Sequence, residues 1–254
     1  MFRIEGLELM IAQAGNLADG TDIVCVIDKK VATDFVSRYH YSQKGREASD
    51  INYGCWHGGE LVTVISYSYP VSRYVVGDEK TGGYFVKDPP IKMRWLELVR
   101  MAKIAESEYP LSKIVSLTLK DLTRRGNSKD GYYAIISYAD AGVGHEGYIY
   151  QAANFIYCGR GIDRQYWAIE GQNLHPRGIV SPNSPAAKSG MYKAGEYKIT
   201  VVGKHRYIYF CVKKQKLRDM LARCLKFDIE PYPKGQEKNY TIVDGKVEWQ
   251  EVHK

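Results

Sequence analysis

Apolar and polar positions change period along the chain, and these changes mark out the predicted elements. Strand-like runs rich in Val, Ile and Tyr occur at 22–30, 51–57, 60–69, 91–104, 132–139, 164–170, 197–202 and 206–212. Gly58 and Gly59 separate the second run from the third and predict a hairpin turn. Gly, Pro and charged residues between 70 and 90 indicate a long loop.

Helical periods separate several of these strand-like runs. The clearest apolar stripe precedes Arg124-Arg125-Gly126, a typical helix end, and consists of Leu111, Ile114, Val115, Thr118, Leu119 and Leu122. Further helices are predicted over 31–39, from the Gly-rich turn at 142–147 to just before Gly159, and around the amphipathic stripe at 217–225.

The order of these elements predicts a mixed α/β fold. The strand–helix–strand unit that ends near residue 139 requires a parallel pair, whereas the early hairpin is antiparallel. We therefore expect an α/β (α+β) fold with a mixed, mostly antiparallel central sheet and helices on both faces, which is the element order of the GNAT acyltransferase fold. Residues 1–254 are predicted to form one domain, with an insertion or flap at 171–196 and a basic C-terminal helix at 213–226.

Composition narrows the class of protein only partly. The 254 residues carry a formal net charge of +7, which fits a polyanionic partner without requiring one. The 21 tyrosines suit either base stacking or burial in a sheet. The five cysteines lack paired spacing, so we expect reduced thiols, a cytoplasmic location and no disulfide framework. No apolar run approaches the roughly 18–20 residues of a membrane span.

Two side chains are the best candidates for proton transfer. His40 ends the first predicted helix, where it could transfer protons or simply interact with the helix dipole. Asp140 ends a predicted buried strand, where it could act as a base or cap the next turn. His145 follows in the same Gly-rich turn and favours the functional interpretation of Asp140.

Other residues suggest ligand contacts, each with a structural alternative. Arg100 on the strand at 91–104 could meet a phosphate or form a structural ion pair. Ser112 and Lys113 begin a helix and could bind a pyrophosphate, unless Ser112 is only an N-cap. Tyr150 and Asn154 share a helical face with Tyr157. Such a face could line a ligand groove, or its tyrosines could be purely structural.

Several blocks together resemble one known family. They are HYS at 40–42, YGCWHGGELVTVISY at 53–67, ELVR at 97–100, SYADAGVGHEGYIYQAANFIYCG at 137–159, KHRYIYF at 204–210 and PYPK at 231–234. They resemble the phage Mom family from about residue 22 to residue 234, and the SYAD block is the most specific. The resemblance implies a GNAT-like fold and conversion of adenine in DNA to N6-carbamoylmethyl (acetamido) adenine, which protects phage DNA from host restriction.

The resemblance also implies functional residues. Candidate catalytic residues are His40, Tyr41, Asp140 and Tyr150, with Arg100 and Ser137 nearby. The candidate cofactor contacts, Ser112, Lys113 and Asn154, come from the residue patterns above and not from the resemblance, since the segment 106–113 departs from the polar stretch expected in the family. The candidate DNA contacts follow from local positive charge rather than from the resemblance. They are Lys204, Arg206, Lys213, Lys214 and Lys216, and the structural alternative for such a charge run is a solvated helix face. The implied partners are double-stranded DNA and a small-molecule donor.

The chemistry constrains the donor and leaves two other classes open. Adenine N6 is a weak nucleophile inside the duplex, so the base must be flipped out and its proton removed. Because N6 joins a CH₂ in the family's product, simple transfer from acetyl-coenzyme A would give the wrong linkage. The donor is therefore open between acetyl-coenzyme A with a rearrangement and a glycine-derived group. A metal held by His40, His145 and Asp140 is not favoured. The alternatives are a GNAT acyltransferase on a protein or small amine, and a non-catalytic DNA-binding anti-restriction protein.

Overall fold

The computed structural model describes residues 15–16, 22–40, 49–70, 72–76, 83–104, 110–171, 179–234, 240–243 and 246–249. The strands of the main sheet are β1 (Gly15–Asn16), β2 (Asp22–Val26), β3 (Ile51–His57), β4 (Glu60–Ser68), β5 (Met93–Lys103), β6 (Tyr132–Ala139), β7 (Ile156–Arg160) and β12 (His205–Phe210). The remaining strands form two-stranded pairs and are β8 (Arg164–Ala168), β9 (Ile179–Val180), β10 (Lys193–Ala194), β11 (Tyr197–Val201), β13 (Tyr240–Val243) and β14 (Lys246–Trp249). The helices are α1 (Lys29–Tyr39), α2 (Arg73–Val76), α3 (Leu111–Arg125), α4 (Tyr148–Ala152), α5 (Pro185–Lys188) and α6 (Gln215–Ala222), with a 3₁₀ turn at Ala141–Val143.

The main sheet is mixed and mostly antiparallel, as predicted. Its strand order is β1-β2-β3-β4-β5-β6-β12-β7. β5 and β6 run parallel because α3 carries the chain back across the sheet between them, and the other neighbouring strands are antiparallel. The early hairpin turns at Gly58 and Gly59, both with positive φ, as the sequence predicted.

Helices cover both faces of this sheet. On one face, the apolar stripe of α3 packs against strand residues such as Tyr67 and Ile135. On the other face, Phe35 of α1 packs against β2–β4, and Leu221 of α6 packs near β12. Leu122 of α3 is fully buried, so the stripe is core in the way its period predicted. The expected fold class is confirmed.

An irregularity in β5 determines where the sheet opens. Opposite β4, Tyr67 pairs with Leu98 and Ser66 pairs with Arg100, so Val99 is an extra residue. The parallel pairing with β6 stops nearby, at Glu97 opposite Ile136. A bulge bends its strand and re-aims the side chains beyond it. Beyond this point β5 and β6 no longer pair, and a cavity lies between residues 97–101 of β5 and the end of β6.

Several predicted boundaries are wrong. The strand predicted over 22–30 ends at Val26, since α1 begins at Lys29. The helix predicted up to Gly159 ends at Ala152, and residues 156–160 form β7 instead. The expected loop at 70–90 contains α2, and the helix in the basic 213–226 segment covers only Gln215–Ala222. No helix in the part of the chain that the structure describes could cross a membrane.

Candidate active site

A cavity of about 490 Å³ lies where β5 and β6 separate. This volume is within the range typical of small-molecule sites. Its lining includes residues from β5, the end of β6, the following Gly-rich turn, α4 and the C-terminus of α1. The predicted residues among them are His40, Arg100, Asp140, Tyr150 and Lys204.

Asp140 is held at the mouth of the cavity by both carboxylate oxygens. Oδ1 accepts a hydrogen bond from the Gly142 backbone at 3.1 Å, so the carboxylate caps the 3₁₀ turn. Oδ2 lies 3.1 Å from Nζ of Lys204. The capping alternative for Asp140 is therefore confirmed, because the chain turns immediately after β6 and the carboxylate accepts from the turn. The ion pair with Lys204 leaves the carboxylate at the cavity with its charge balanced.

His40 approaches the cavity from the end of α1. Its backbone N–H donates to Val36 at 2.9 Å and closes the helix. Burial, the Arg100 guanidinium and His145 lower the pKa of His40 from 6.5 to about 4. The imidazole is therefore neutral near pH 7 and can accept a proton. This environment differs from the dipole-stabilised cation of the structural alternative.

Arg100 and Ser137 lie on the two strands that separate at the cavity. Nη1 of Arg100 donates to the Val99 carbonyl at 2.7 Å, so the bulge residue orients the guanidinium. The alternation of a regular strand is broken here, since Leu98 and Met101 contact the same core cluster. Ser137 is fully buried, and its hydroxyl donates to the Leu98 carbonyl at 3.1 Å. Ser137 therefore links the strands rather than facing the cavity.

The Gly-rich turn contributes a carboxyl group that the sequence analysis missed. Glu146 lines the cavity and is 5% exposed. Its backbone carbonyl accepts hydrogen bonds from Tyr207 and, at 3.0 Å, from Gln151. Gly147 has a φ of 76°, and a Cβ there would lie 2.4 Å from the Tyr207 ring, so only glycine fits. The position of Glu146 directly after His145 was the available signal.

Tyr150 closes one side of the cavity with a buried aromatic ring. It is 6% exposed and lies 5.2 Å from Tyr207 and 5.4 Å from Phe155, measured between ring centroids. Asn154 does not join it, because α4 ends first and Asn154 adopts a φ of 60°. The predicted stripe through Tyr157 is therefore wrong, and Asn154 lies on a different cavity, beside β7.

The other predicted contacts are not brought to this cavity. Ser112 and Lys113 lie in the first turn of α3, and the residue of this turn that lines the cavity is Leu111. The N-cap of α3 is Pro110, without a side-chain hydrogen bond, so the capping alternative for Ser112 is wrong. Tyr41 lies outside the described residues.

The predicted DNA contacts fall into three different environments. Lys204 lies at the cavity, whereas Lys213, Lys214 and Lys216 follow the opposite end of β12 and are exposed. Arg206 is half-buried, with its guanidinium 3.8 Å from the Phe227 ring centroid and donating to the Cys158 carbonyl at 2.9 Å. These two contacts account for its position, and its role in DNA binding stays a prediction. In the described ranges, no group of three His, Cys, Asp or Glu side chains could hold a metal ion.

Comparison with known proteins gives a family and a relative. The model of the Mom protein family matches residues 22–234. The methylcarbamoylase Mom of Escherichia phage Mu is 26% identical over 213 residues, which cover 80% of each chain. Among solved structures, an N-acetyltransferase from Staphylococcus aureus Mu50 is 8% identical with a TM-score of 0.40, covering 76% of this chain and 99% of that one. A probable GNAT-family acetyltransferase from Chromobacterium violaceum is 9% identical, also with a TM-score of 0.40, and covers 78% of this chain and 94% of that one.

Proposed function

This chain belongs to the Mom protein family, and we propose that it is a transferase that modifies the exocyclic amine of adenine in DNA. The observation that carries the proposal is the family match over residues 22–234, which includes the β6–turn–α4 wall of the cavity. The phage Mu relative is named a methylcarbamoylase, which is consistent with transfer of a small carbamoyl-bearing group.

The cavity contains the groups that this chemistry needs. The N6 lone pair of adenine is delocalised into the ring, so attack on the donor requires removal of an N6 proton in the transition state. Asp140 is the proposed base, and neutral His40 is a second group that can accept a proton. Arg100 supplies a fixed positive charge for an anionic part of the donor.

The atom balance of the reaction limits which donors are possible. In the product implied by the family resemblance, a new bond joins N6 to a methylene carbon that carries a carboxamide. The N6 proton passes to the base, and the bond between this methylene and the donor's leaving group breaks with its electron pair. This displacement balances only for a donor that carries its leaving group on the methylene and already has the carboxamide. A glycine-derived group contains the required nitrogen, but on the methylene carbon, so it needs a rearrangement that moves the nitrogen to the carboxyl carbon. An acetyl-coenzyme A donor needs a nitrogen source and an oxidant as well as a rearrangement.

The target base must leave the duplex to reach these groups. Adenine N6 is paired inside the helix, and enzymes that react there flip the base into a pocket. The Tyr150 ring is one wall on which a base can stack. Modified adenines would then block restriction enzymes that recognise sites containing adenine, which gives the proposed anti-restriction role.

A nucleoside analysis tests the proposal directly. The protein is expressed in a bacterial host, and nucleosides from the host DNA are separated and weighed by mass spectrometry. We expect a new deoxyadenosine species about 57 Da heavier, as a carbamoylmethyl group requires when it replaces one N6 hydrogen. Unchanged nucleosides and unchanged restriction patterns, with abundant folded protein, would reject the proposal. Transfer of an acyl group to a protein or small amine without DNA would favour an ordinary acyltransferase.

A further inference from the structure

A two-stranded ribbon extends from the sheet next to the candidate active site. It consists of β8 and β11, which pair antiparallel from Arg164 opposite Val201 to Ala168 opposite Tyr197. The ribbon is inserted between β7 and β12, and β12 begins with His205 opposite Ala139, one residue before Asp140. The ribbon therefore begins at the cavity end of the sheet.

The base of the ribbon is fixed by two hydrogen bonds. The Gly161 N–H donates to the Lys204 carbonyl at 2.9 Å, and the Gly203 N–H donates to the Asp163 carboxylate at 2.9 Å. A Cβ on Gly203 would lie 1.8 Å from the Gly161 carbonyl oxygen, so the two backbones can approach this closely only with glycine. Lys204, which pairs with Asp140, is part of the same connection.

One face of the ribbon carries polar groups and an aromatic ring. The register places Gln165 opposite Thr200 and Trp167 opposite Lys198, and directly opposed residues share a face. Gln165, Lys198 and Thr200 are exposed, and Nζ of Lys198 lies 5.4 Å from the Trp167 ring centroid. Trp167 itself is half-buried against Gly195, so its position is fixed.

The charge and dimensions of this ribbon match a DNA groove. The two ribbon strands carry two basic residues, Arg164 and Lys198, and no acidic residue, so their formal charge is +2. The major groove, about 12 Å wide, admits a two-stranded β-ribbon. Its base edges pair with amide, hydroxyl and ammonium groups, which are the groups on this face.

We propose that the ribbon face formed by Gln165, Trp167, Lys198 and Thr200 lies in the major groove of double-stranded DNA, beside the adenine that enters the cavity. This inference rests on the proposed function, since it assigns the contact surface for the same substrate. It also offers a role for the described part of the insertion predicted at 171–196, because β9, α5 and β10 lie between β8 and β11 along the chain and β9 contacts β8.

The test replaces Gln165 and Lys198 together by Ala in the full chain. Lys129→Ala is the matched control, since Lys129 is an exposed lysine in the turn before β6, at the opposite end of that strand from the cavity. Binding is measured by fluorescence anisotropy with a labelled duplex and with the corresponding single strand, at several salt concentrations. Loss of a base contact and a phosphate contact should raise the Kd for the duplex at least fivefold, with a smaller effect on the single strand.

The outcomes separate this inference from the proposed function. A duplex Kd within twofold of the Lys129→Ala control would overturn the inference, as would an equal loss on duplex and single strand. Thermal unfolding of the double variant must match that of wild type, and Lys198→Arg should retain most of the binding. If wild type binds duplex through the ribbon but leaves adenine unmodified, the proposed function fails and the ribbon assignment stands.

Discussion

Replacing Asp140 with Asn separates proton transfer from the structural roles of this carboxylate. Asn keeps the size of the side chain and an oxygen for the 3.1 Å hydrogen bond from Gly142, and it is as good a cap as Asp. What it loses is the negative charge and the 3.1 Å ion pair with Lys204. A base would therefore be lost while the turn is preserved.

The two losses differ greatly in size. The side chain of Lys204 is 53% exposed, so its ion pair should contribute at most about 1 kcal/mol to the free energy of unfolding. Removal of a positioned base should lower kcat/KM for adenine modification by roughly 10²- to 10⁴-fold, or about 3–5 kcal/mol of transition-state stabilisation. The stability and activity effects can thus be told apart.

Nucleoside mass spectrometry after timed reactions gives kcat/KM, and urea unfolding gives the free energy of unfolding. Lys204→Met is the matched control, since it breaks the same ion pair but keeps the carboxylate. We expect Asp140→Asn to lose modification with nearly normal stability and DNA affinity, and Lys204→Met to lose much less. Near-normal modification by Asp140→Asn would refute the assignment, and an equal loss in both variants would mean that the ion pair, not the base, matters.

Three further predictions follow from the structure. His40 has a pKa near 4 in the folded protein against 6.5 when unfolded, so the unfolded state binds more protons below pH 6.5. The free energy of unfolding, measured with urea, should therefore fall by about 1 kcal/mol from pH 7 to pH 5. The His40→Gln variant should not show this loss. Leu122→Ala should lower the free energy of unfolding by about 3 kcal/mol, because this side chain is fully buried; a loss below about 1 kcal/mol would contradict its core position. Joint replacement of Lys213, Lys214 and Lys216 by Ala should weaken DNA binding regardless of sequence and flatten its salt dependence, and an unchanged salt slope would place the main phosphate contacts elsewhere.

Local patterns in the sequence predicted the elements whose partners are close along the chain. The α3 stripe and the strand before Asp140 were predicted within a residue or two, because the strand–helix–strand unit is local and its faces are set by period alone. The segment after α4 was predicted wrongly because its partner strand is distant along the chain. Tyr150, Asn154 and Tyr157 have helical spacing, but β7 pairs with β12, which lies some 50 residues later.

The candidate site could be predicted only in part, because its geometry depends on register. A pattern can place Asp140 after a strand and His40 after a helix, since both positions follow from the ends of local elements. It cannot show that Lys204 meets Asp140, because that contact requires β12 to pair with β6 at Ala139. Nor does it reveal the extra residue Val99, which alternates like any strand residue until β4 is aligned beside it. The cavity opens at this extra residue, and Val99 also orients Arg100. The position of Arg100 therefore could not be predicted from the regular alternation of residues in β5.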